Sequence, residues 1–169
     1  LVDAATGLPN REAFGNELAR QILALRARGQ IAALLWVRLA GTEEAAQQRG
    51  REAFEASVLR WGAALADCLQ PGEPLARLDD ATFAIIATGH SNAKSVDALA
   101  ATVLARTLSS FEARDKVDCR VVLVPLPAGR STVEGIAHLC ERALKTAPLG
   151  KRILRLRSGG AFESTPVAQ

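Results

Sequence analysis

Apolar residues recur every three or four positions in four long segments of the chain, a spacing typical of helices that bury one face. A shorter helix is also predicted, with Thr42 as its N-cap and Gly50 near its end. Gly29 is expected to end the first long helix, and Ser131 and Glu134 have the spacing of a capping box before the last one. The four apolar stripes occupy residues 14–25, 54–69, 96–111 and 133–144.

Shorter apolar runs along the chain predict five strands. Residues 31–37 are continuously apolar, which indicates a central strand covered on both faces. Residues 75–89 hold two apolar runs around Asp79 and Asp80. They predict a β-hairpin with a two-residue loop, because aspartate tolerates the positive φ angles of tight hairpin turns. Residues 119–124 form a further strand, and residues 153–157 alternate apolar and basic positions as a half-exposed edge strand would.

The order of these elements predicts an α/β domain of the α+β type. It contains a ferredoxin-like β-α-β-β-α-β unit, so we expect a five-stranded, mostly antiparallel central sheet with flanking helices. In this topology the loop after the first strand can face the hairpin tip. The domain is predicted to cover residues 1–157. Residues 158–169 are rich in Gly, Ser and Pro and are expected to be a linker to a following domain.

Composition and charge narrow the functional classes without selecting one. The chain has 21 basic and 18 acidic residues, which are interspersed and give a net charge of only +3. No nucleic-acid partner is therefore expected. No segment is apolar over the length that crosses a membrane, and direct membrane contact is not expected. Cys68, Cys119 and Cys140 are predicted to be buried packing groups in a reducing compartment. His90 and His138 are predicted to be solvated surface groups.

Two short motifs carry a resemblance to a known family. Residues 3–11 read DAATGLPNR, and residues 77–83, in the predicted hairpin, read RLDDATF. The first resembles the D-x-L-T-G-L-P-N-R motif of GGDEF domains, the diguanylate cyclases that condense two GTP molecules into cyclic di-GMP. The second takes the place of the family's R-x-G-G-D-E-F signature. The resemblance covers nearly the whole chain and implies the nucleotidyl-cyclase-like version of the predicted fold.

The resemblance also implies that the signature has lost its catalytic groups. Asp79 and Asp80 stand where the family has two glycines that let the backbone approach the nucleotide phosphates, and their carboxylates would oppose a triphosphate. Ala81 and Thr82 replace two acidic residues, and Ala81 offers no oxygen to a Mg²⁺ ion. Phe83 matches the last position of the signature. We therefore expect no catalytic residue among positions 79–83.

Other sites that the resemblance implies are changed as well. The family's metal-binding aspartate, at the end of the first strand, corresponds to Arg38, a permanent cation. The Asn and Asp that recognise guanine correspond to Ala46 and Glu55. In the inhibitory R-x-x-D motif, Gln70 and Glu73 take the places of Arg and Asp, so cyclic di-GMP is not expected to bind there.

Arg38 is placed by the resemblance where it could substitute for the lost metal. We expect its guanidinium to pair with Asp79 or Asp80, because the end of the first strand should face the hairpin tip. No metal and no cofactor are therefore expected in this domain.

Together these changes predict a domain that is not an enzyme. The favoured interpretation is a catalytically inactive GGDEF domain that acts as a regulatory module in bacterial cyclic di-GMP and biofilm signalling. It is similar in this respect to the degenerate GGDEF domains of LapD-type GGDEF-EAL receptors. Two alternatives stay open, a module that binds GTP without turnover and a diguanylate cyclase with unusual residues.

The resemblance further implies the partners and the location of the domain. We expect an EAL domain and an upstream helical or HAMP-like signalling segment in the same protein, and homodimers can form. The absence of methionine from the sequence agrees with a segment of a longer protein. The expected location is cytoplasmic, including as the cytoplasmic part of an inner-membrane receptor.

Overall fold

The computed structural model describes residues 1–128, 132–157 and 162–165. Within these residues the chain forms five α-helices, a short 3-10 helix (Ala113–Asp115) and one six-stranded sheet, and none of the helices is long and apolar enough to span a membrane. The helices are α1 (Arg11–Arg28), α2 (Thr42–Arg49), α3 (Arg51–Asp67), α4 (Ala93–Ser109) and α5 (Val133–Thr146). The strands are β1 (Ala32–Ala40), β2 (Leu75–Asp79), β3 (Thr82–Ala87), β4 (Asp118–Leu126), β5 (Ile153–Leu156) and β6 (Phe162–Thr165).

The strands lie in the order β2-β3-β1-β4-β5-β6. All neighbouring pairs are antiparallel except β4 and β5, which are parallel. The predicted α+β fold and its mostly antiparallel sheet are confirmed, with β1 at the centre between β3 and β4. Strand β6 was not predicted, since it lies within the proposed linker 158–169. The rest of that linker, and Ser131 of the predicted capping box, lie outside the described residues.

Both faces of the central strand are buried, which explains its continuous apolar sequence. Leu35 and Val37 belong to a core with α2, α3 and α4 on one face. Leu34 and Trp36 belong to a second core with α1 and α5 on the other face. Side chains of a strand alternate between the two sides of a sheet, so a strand covered on both sides needs apolar residues at every position.

Three local predictions differ from the structure. Strand β5 is not an edge strand, because it pairs with β4 and β6, and its Ile153 and Leu154 are buried. Helix α2 is preceded by Gly41 in the left-handed conformation, at φ 84°, and Thr42 is the first helical residue rather than the cap. Helix α5 is capped by Thr132, whose side chain accepts a hydrogen bond from the backbone of Gly135.

Candidate functional site

The N-terminal motif folds against the β2-β3 hairpin. Asp3 accepts hydrogen bonds from the backbone nitrogen of Thr6 at 2.9 Å and from its hydroxyl at 2.7 Å, which closes a tight turn. The same carboxylate lies 3.3 Å from Nη1 of Arg77, and the backbone nitrogen of Arg77 donates to the carbonyl of Pro9 at 3.0 Å. The two motifs that are distant in sequence therefore form one structural unit.

Arg77 is the centre of this unit. Its side chain is only 4% exposed, and its guanidinium contacts the carboxylates of Asp3 and Glu55, both at 3.3 Å. Asp80 Oδ1 lies 3.7 Å from Nη2 of the same guanidinium. Burial raises the pKa of Asp3, but the hydrogen bonds from Thr6 and the charge of Arg77 outweigh burial and hold this pKa below its ordinary value of 3.8.

The hairpin tip is displaced by one residue from the predicted position. Strand β2 ends at Asp79 and β3 begins at Thr82, so the loop residues are Asp80 and Ala81. Among the described non-glycine residues, positive φ occurs at Lys116 alone, so the expectation of positive φ at the aspartates was wrong. The turn is shaped instead by two features. The strand register shifts between Arg77 and Asp79, and the backbone nitrogen of Ala81 donates a hydrogen bond to Asp79 Oδ1 at 2.9 Å.

A cleft of about 770 Å³ lies between the end of β1 and the hairpin tip. One wall is the start of α2, from Gly41 to Glu44, and the opposite wall is residues 79–81 of the tip. The backbone nitrogen of Leu39 donates to the carbonyl of Ala81 at 2.8 Å, which ties the two walls together at their base. The predicted juxtaposition of the strand end and the hairpin tip is confirmed.

Acidic groups dominate the charged lining of this cleft. Four carboxylates, of Glu43, Glu44, Asp79 and Asp80, face one guanidinium, that of Arg51, which gives a formal charge of −3. Arg51 is itself 4.0 Å from Asp80 Oδ2. Glu43 and Glu44 occupy the first turn of α2, where the helix dipole would otherwise favour a bound anion. Unless a cation intervenes, these charges oppose a bound triphosphate.

Arg38 does not bind the hairpin aspartates. Its Nε donates to the hydroxyl of Thr82 at 2.9 Å and its Nη1 to Glu141 of α5 at 3.2 Å. Among the described ion pairs it has none with Asp79 or Asp80, so the predicted pairing was wrong. The reason is the alternation of β1, which places Arg38 on the same side of the sheet as Trp36, towards α1 and α5.

The residues present at the metal positions do not fit a metal ion. Arg38 brings a positive charge and Ala81 a methyl group, whereas Mg²⁺ needs oxygen ligands. In the described part of the chain, no three His, Cys, Asp or Glu side chains come together as a group that could hold a metal.

The two positions that the resemblance assigns to guanine recognition are engaged elsewhere. Ala46 is 7% exposed and belongs to the core around α2 and α3. The Glu55 carboxylate forms ion pairs with Arg77, at 3.3 Å, and with Arg51, at 3.7 Å.

The region of the inhibitory motif is closed by local contacts. Glu73 is buried, and its carboxylate accepts hydrogen bonds from the backbone nitrogens of Gln70 at 2.7 Å and Gly89 at 3.2 Å. The His90 ring lies beside Glu73, with only 8% of its side chain exposed, so the prediction of a solvated His90 was wrong. His138 is exposed as predicted. Sequence patterns gave no signal for the Glu73–His90 contact, because it joins two loops that meet only through the hairpin.

Comparisons with known proteins agree with this fold. The sequence profile of the family described as diguanylate cyclase, GGDEF domain, matches residues 1–152. No curated protein sequence matches the chain significantly. Among solved structures, the GGDEF domain of TpbB (YfiN) from Pseudomonas aeruginosa has a TM-score of 0.77 at 18% identity, covering 92% of each chain.

Two further solved structures are similar in fold. The GGDEF domain of DgcB from Caulobacter crescentus, in complex with c-di-GMP, has a TM-score of 0.76 at 18% identity, over 91% of this chain and 94% of that one. The S helix-GGDEF-EAL structure of LapD from Vibrio cholerae, bound to c-di-GMP, has a TM-score of 0.67 at 17% identity. It matches 91% of this chain and 36% of its own.

Proposed function

Because the chain belongs to the GGDEF domain family, we propose that it is a catalytically inactive member that acts as a regulatory module in cyclic di-GMP signalling. One observation carries this proposal, namely which side chains occupy the two positions that correspond to the family's metal ligands. Arg38 is bound to Thr82 and Glu141, and Ala81 ends in a methyl group. Neither side chain offers an oxygen to a divalent cation.

The chemistry of the family explains why this loss matters. Joining two GTP molecules is a phosphoryl-type transfer, in which metal ions neutralise the triphosphate and align the attacking hydroxyl. Here the cleft presents four carboxylates and one arginine instead. These charges oppose the triphosphate in the ground state and provide nothing to stabilise the charge that develops in the transition state.

A catalytically inactive domain of this kind acts through contacts with other protein segments. The N-terminal motif is bonded to the hairpin through Asp3, Pro9 and Arg77, and the hairpin tip forms one wall of the open cleft. A displacement of the chain that precedes α1 would therefore be transmitted to the hairpin tip through direct bonds. This arrangement suits a domain that relays the position of an upstream segment to a neighbouring domain.

The architecture of the LapD structure supports the choice of neighbours, since that protein combines a GGDEF and an EAL domain in one chain. We extend the proposal to an EAL domain beside this one, an upstream helical or HAMP-like segment, and assembly as a homodimer. The proposed location is the cytoplasm, including the cytoplasmic side of an inner-membrane receptor.

Calorimetric titration tests the proposal against the alternative of a GTP-binding module. We expect GTP with Mg²⁺, and separately cyclic di-GMP, to bind the chain with a Kd weaker than about 1 mM. The matched variant restores four of the family's residues, with R38D, D79G, D80G and A81D together, and should gain Mg²⁺-dependent GTP binding. Micromolar binding of GTP by the unmodified chain would instead support the nucleotide-binding alternative.

A further inference from the structure

A small apolar pocket opens on the surface at the end of the sheet opposite the acidic cleft. Its volume is about 220 Å³. It is bounded by the beginning of β1, the end of β3, the end of β4 and the first turn of α4, and its apolar lining includes Ala33, Ala87, Val96, Leu123 and Pro125. Sequence patterns did not predict this pocket.

The pocket forms because short side chains meet at the same end of three neighbouring strands. Ala33 of β1 is paired with Ala87 of β3 on one side and with Pro125 of β4 on the other. Larger side chains at these positions would fill the space, as they do in a closely packed core. A dry cavity of about 150 Å³ accommodates benzene, so this pocket has room for the ring of one phenylalanine side chain.

An exposed apolar side chain, that of Ile31, extends the apolar surface beside the pocket. Ile31 precedes β1, lines the pocket and is 81% exposed. Together with His90 it also lines a more polar depression of about 520 Å³, which lies beside the end of α1. The pocket and the depression therefore form one continuous surface, and an apolar patch within a polar surrounding is typical of a contact site for another protein.

The charged groups of this surface are cationic. Arg28 of α1 lines the polar depression and Arg155 lines the pocket, and neither lining includes a carboxylate among the described residues. Arg155 is already paired with Asp97 of α4, whereas no described residue forms an ion pair with Arg28. The surface therefore attracts acidic groups, in contrast to the cleft at the other end of the sheet.

The beginning of α4 adds to this preference for negative charge. Asn92, the N-cap, and Ala93, the first helical residue, both line the pocket. The first turn of α4 contains no acidic side chain, and it carries Lys94. The first backbone N–H groups of a helix have no partner within the helix and form the positive end of its dipole, so this end of α4 favours a neighbouring carboxylate.

The size and the openness of the pocket favour a protein segment over a small molecule. Binding sites for small molecules are typically larger clefts that enclose most of the ligand. Protein interfaces, in contrast, are dominated by a few large side chains that fill pockets on the partner, and complementary charges around them select the partner.

We propose that this end of the domain is a docking surface for an acidic peptide segment of another protein domain, which inserts one large apolar side chain into the pocket. This anchor side chain lies against Ala33 and Ala87 and contacts Ile31 at the rim. The acidic residues beside the anchor lie near Arg28 and the first turn of α4. The surface is separate from the cleft, so its partner binds whether or not the domain turns over GTP.

Titration with the peptide acetyl-EEFEE-amide, followed by the amide chemical shifts of the chain, tests this proposal. We expect saturable shifts around Ala33, Ala87 and Ala93, and added salt should weaken the binding. The peptide acetyl-EESEE-amide lacks the anchor and should bind about tenfold more weakly, because burial of a phenylalanine side chain is lost. The peptide acetyl-KKFKK-amide keeps the anchor, reverses the charge and should also bind more weakly. Equal affinities for the three peptides, or saturable shifts confined to the hairpin tip, would overturn the proposal.

Two exposed positions provide variants with matched controls. R28E reverses the charge beside the pocket and should weaken binding of acetyl-EEFEE-amide, whereas R142E makes the same change on α5 and should have no effect. I31S removes the apolar rim and should weaken binding, whereas L59S removes an exposed apolar side chain of α3 and should not. Binding to R28E or to I31S that equals binding to the unmodified chain would contradict the proposed surface.

Discussion

Two arginines near the signature show how single residues decide what this domain can do. Arg77 is buried and bound by Asp3 and Glu55, so it joins the N-terminal motif to the hairpin. Arg38 occupies a metal position of the family and pairs with Glu141 instead of any acidic group at the hairpin tip. The first arginine joins the two family motifs, and the second is the residue on which the proposed loss of metal binding rests.

Replacing Arg77 with methionine should lower the free energy of unfolding by about 3 kcal/mol. Loss of one partner from a buried ion pair leaves the other charge uncompensated, and here two partly buried carboxylates lose their cation. Urea denaturation of R77M measures the effect. The control is R51M, at an arginine that is 63% exposed, where a change below about 0.5 kcal/mol is expected. Equal losses in the two variants would contradict the structural role of Arg77.

The depressed pKa of Asp3 predicts a specific dependence of stability on pH. A carboxyl group with a lower pKa in the folded state stabilises the fold fully above its unfolded pKa, near 3.8, and loses this contribution as the pH falls through the folded value. Urea unfolding of the unmodified chain and of D3N should therefore differ most near neutral pH, and the difference should shrink below pH 3.8. A difference that is constant with pH would show that Asp3 acts without its charge.

For single residues, the sequence predicted which residue type stands at a site position better than it predicted which residues that side chain contacts. The departures from the family motifs at Arg38, Ala81 and the two hairpin aspartates are visible in the sequence as residue types. The partners of Arg38 and the burial of His90 are not, because Glu141 and Glu73 reach them from elements that are remote in sequence. Which face of β1 carries Arg38 depends on strand register, and that is set by the whole sheet.

The β2-β3 hairpin is held against the helices by the packing of Phe83. Phe83 is fully buried, and its ring stacks on Trp61 of α3 with a centroid distance of 3.9 Å. The Trp61 indole also donates to the hydroxyl of Thr107 in α4 at 2.9 Å. Phe83, which matches the last residue of the family signature, therefore has a packing role in the core.

Helix α1 gives a prediction for the N-terminal motif at the scale of the element. Asn10 caps this helix by accepting a hydrogen bond from the backbone nitrogen of Ala13 at 3.0 Å, so N10A should cost about 1 kcal/mol. Asn16 lies exposed on the same helix without a capping role, and N16A should change stability by less than about 0.5 kcal/mol. Thermal unfolding compares the two. A larger loss in N16A would contradict the assigned cap.

Element types could be predicted well from periodicity, and their environment less well. The stripe from Phe14 to Leu25 and the central position of β1 were predicted correctly. Strand β5 was mistaken for an edge strand because its alternating arginines suggested solvent. Arg155 instead forms an ion pair with Asp97 of α4 and is only 24% exposed. Alternating apolar and polar residues show that the two faces of a strand differ. They do not show that the polar face is exposed, because a neighbouring helix can cover it when it provides a charged partner.

At the scale of the whole molecule, the two ends of the sheet differ in chemistry. The end with the hairpin tip carries the acidic cleft, and the opposite end carries a smaller pocket lined by Ala33, Ala87, Leu123 and His90, among other residues. The formal charge of −3 at the first end opposes a nucleotide triphosphate unless a cation intervenes.

Turnover of GTP shows whether this domain is an enzyme. The chain is incubated with GTP and either Mg²⁺ or Mn²⁺, and cyclic di-GMP is quantified over time beside an active diguanylate cyclase and a sample without protein. If the domain is inactive, cyclic di-GMP stays at the level of the sample without protein with both metals. Formation of cyclic di-GMP in proportion to the concentration of the chain would contradict the proposed inactivity.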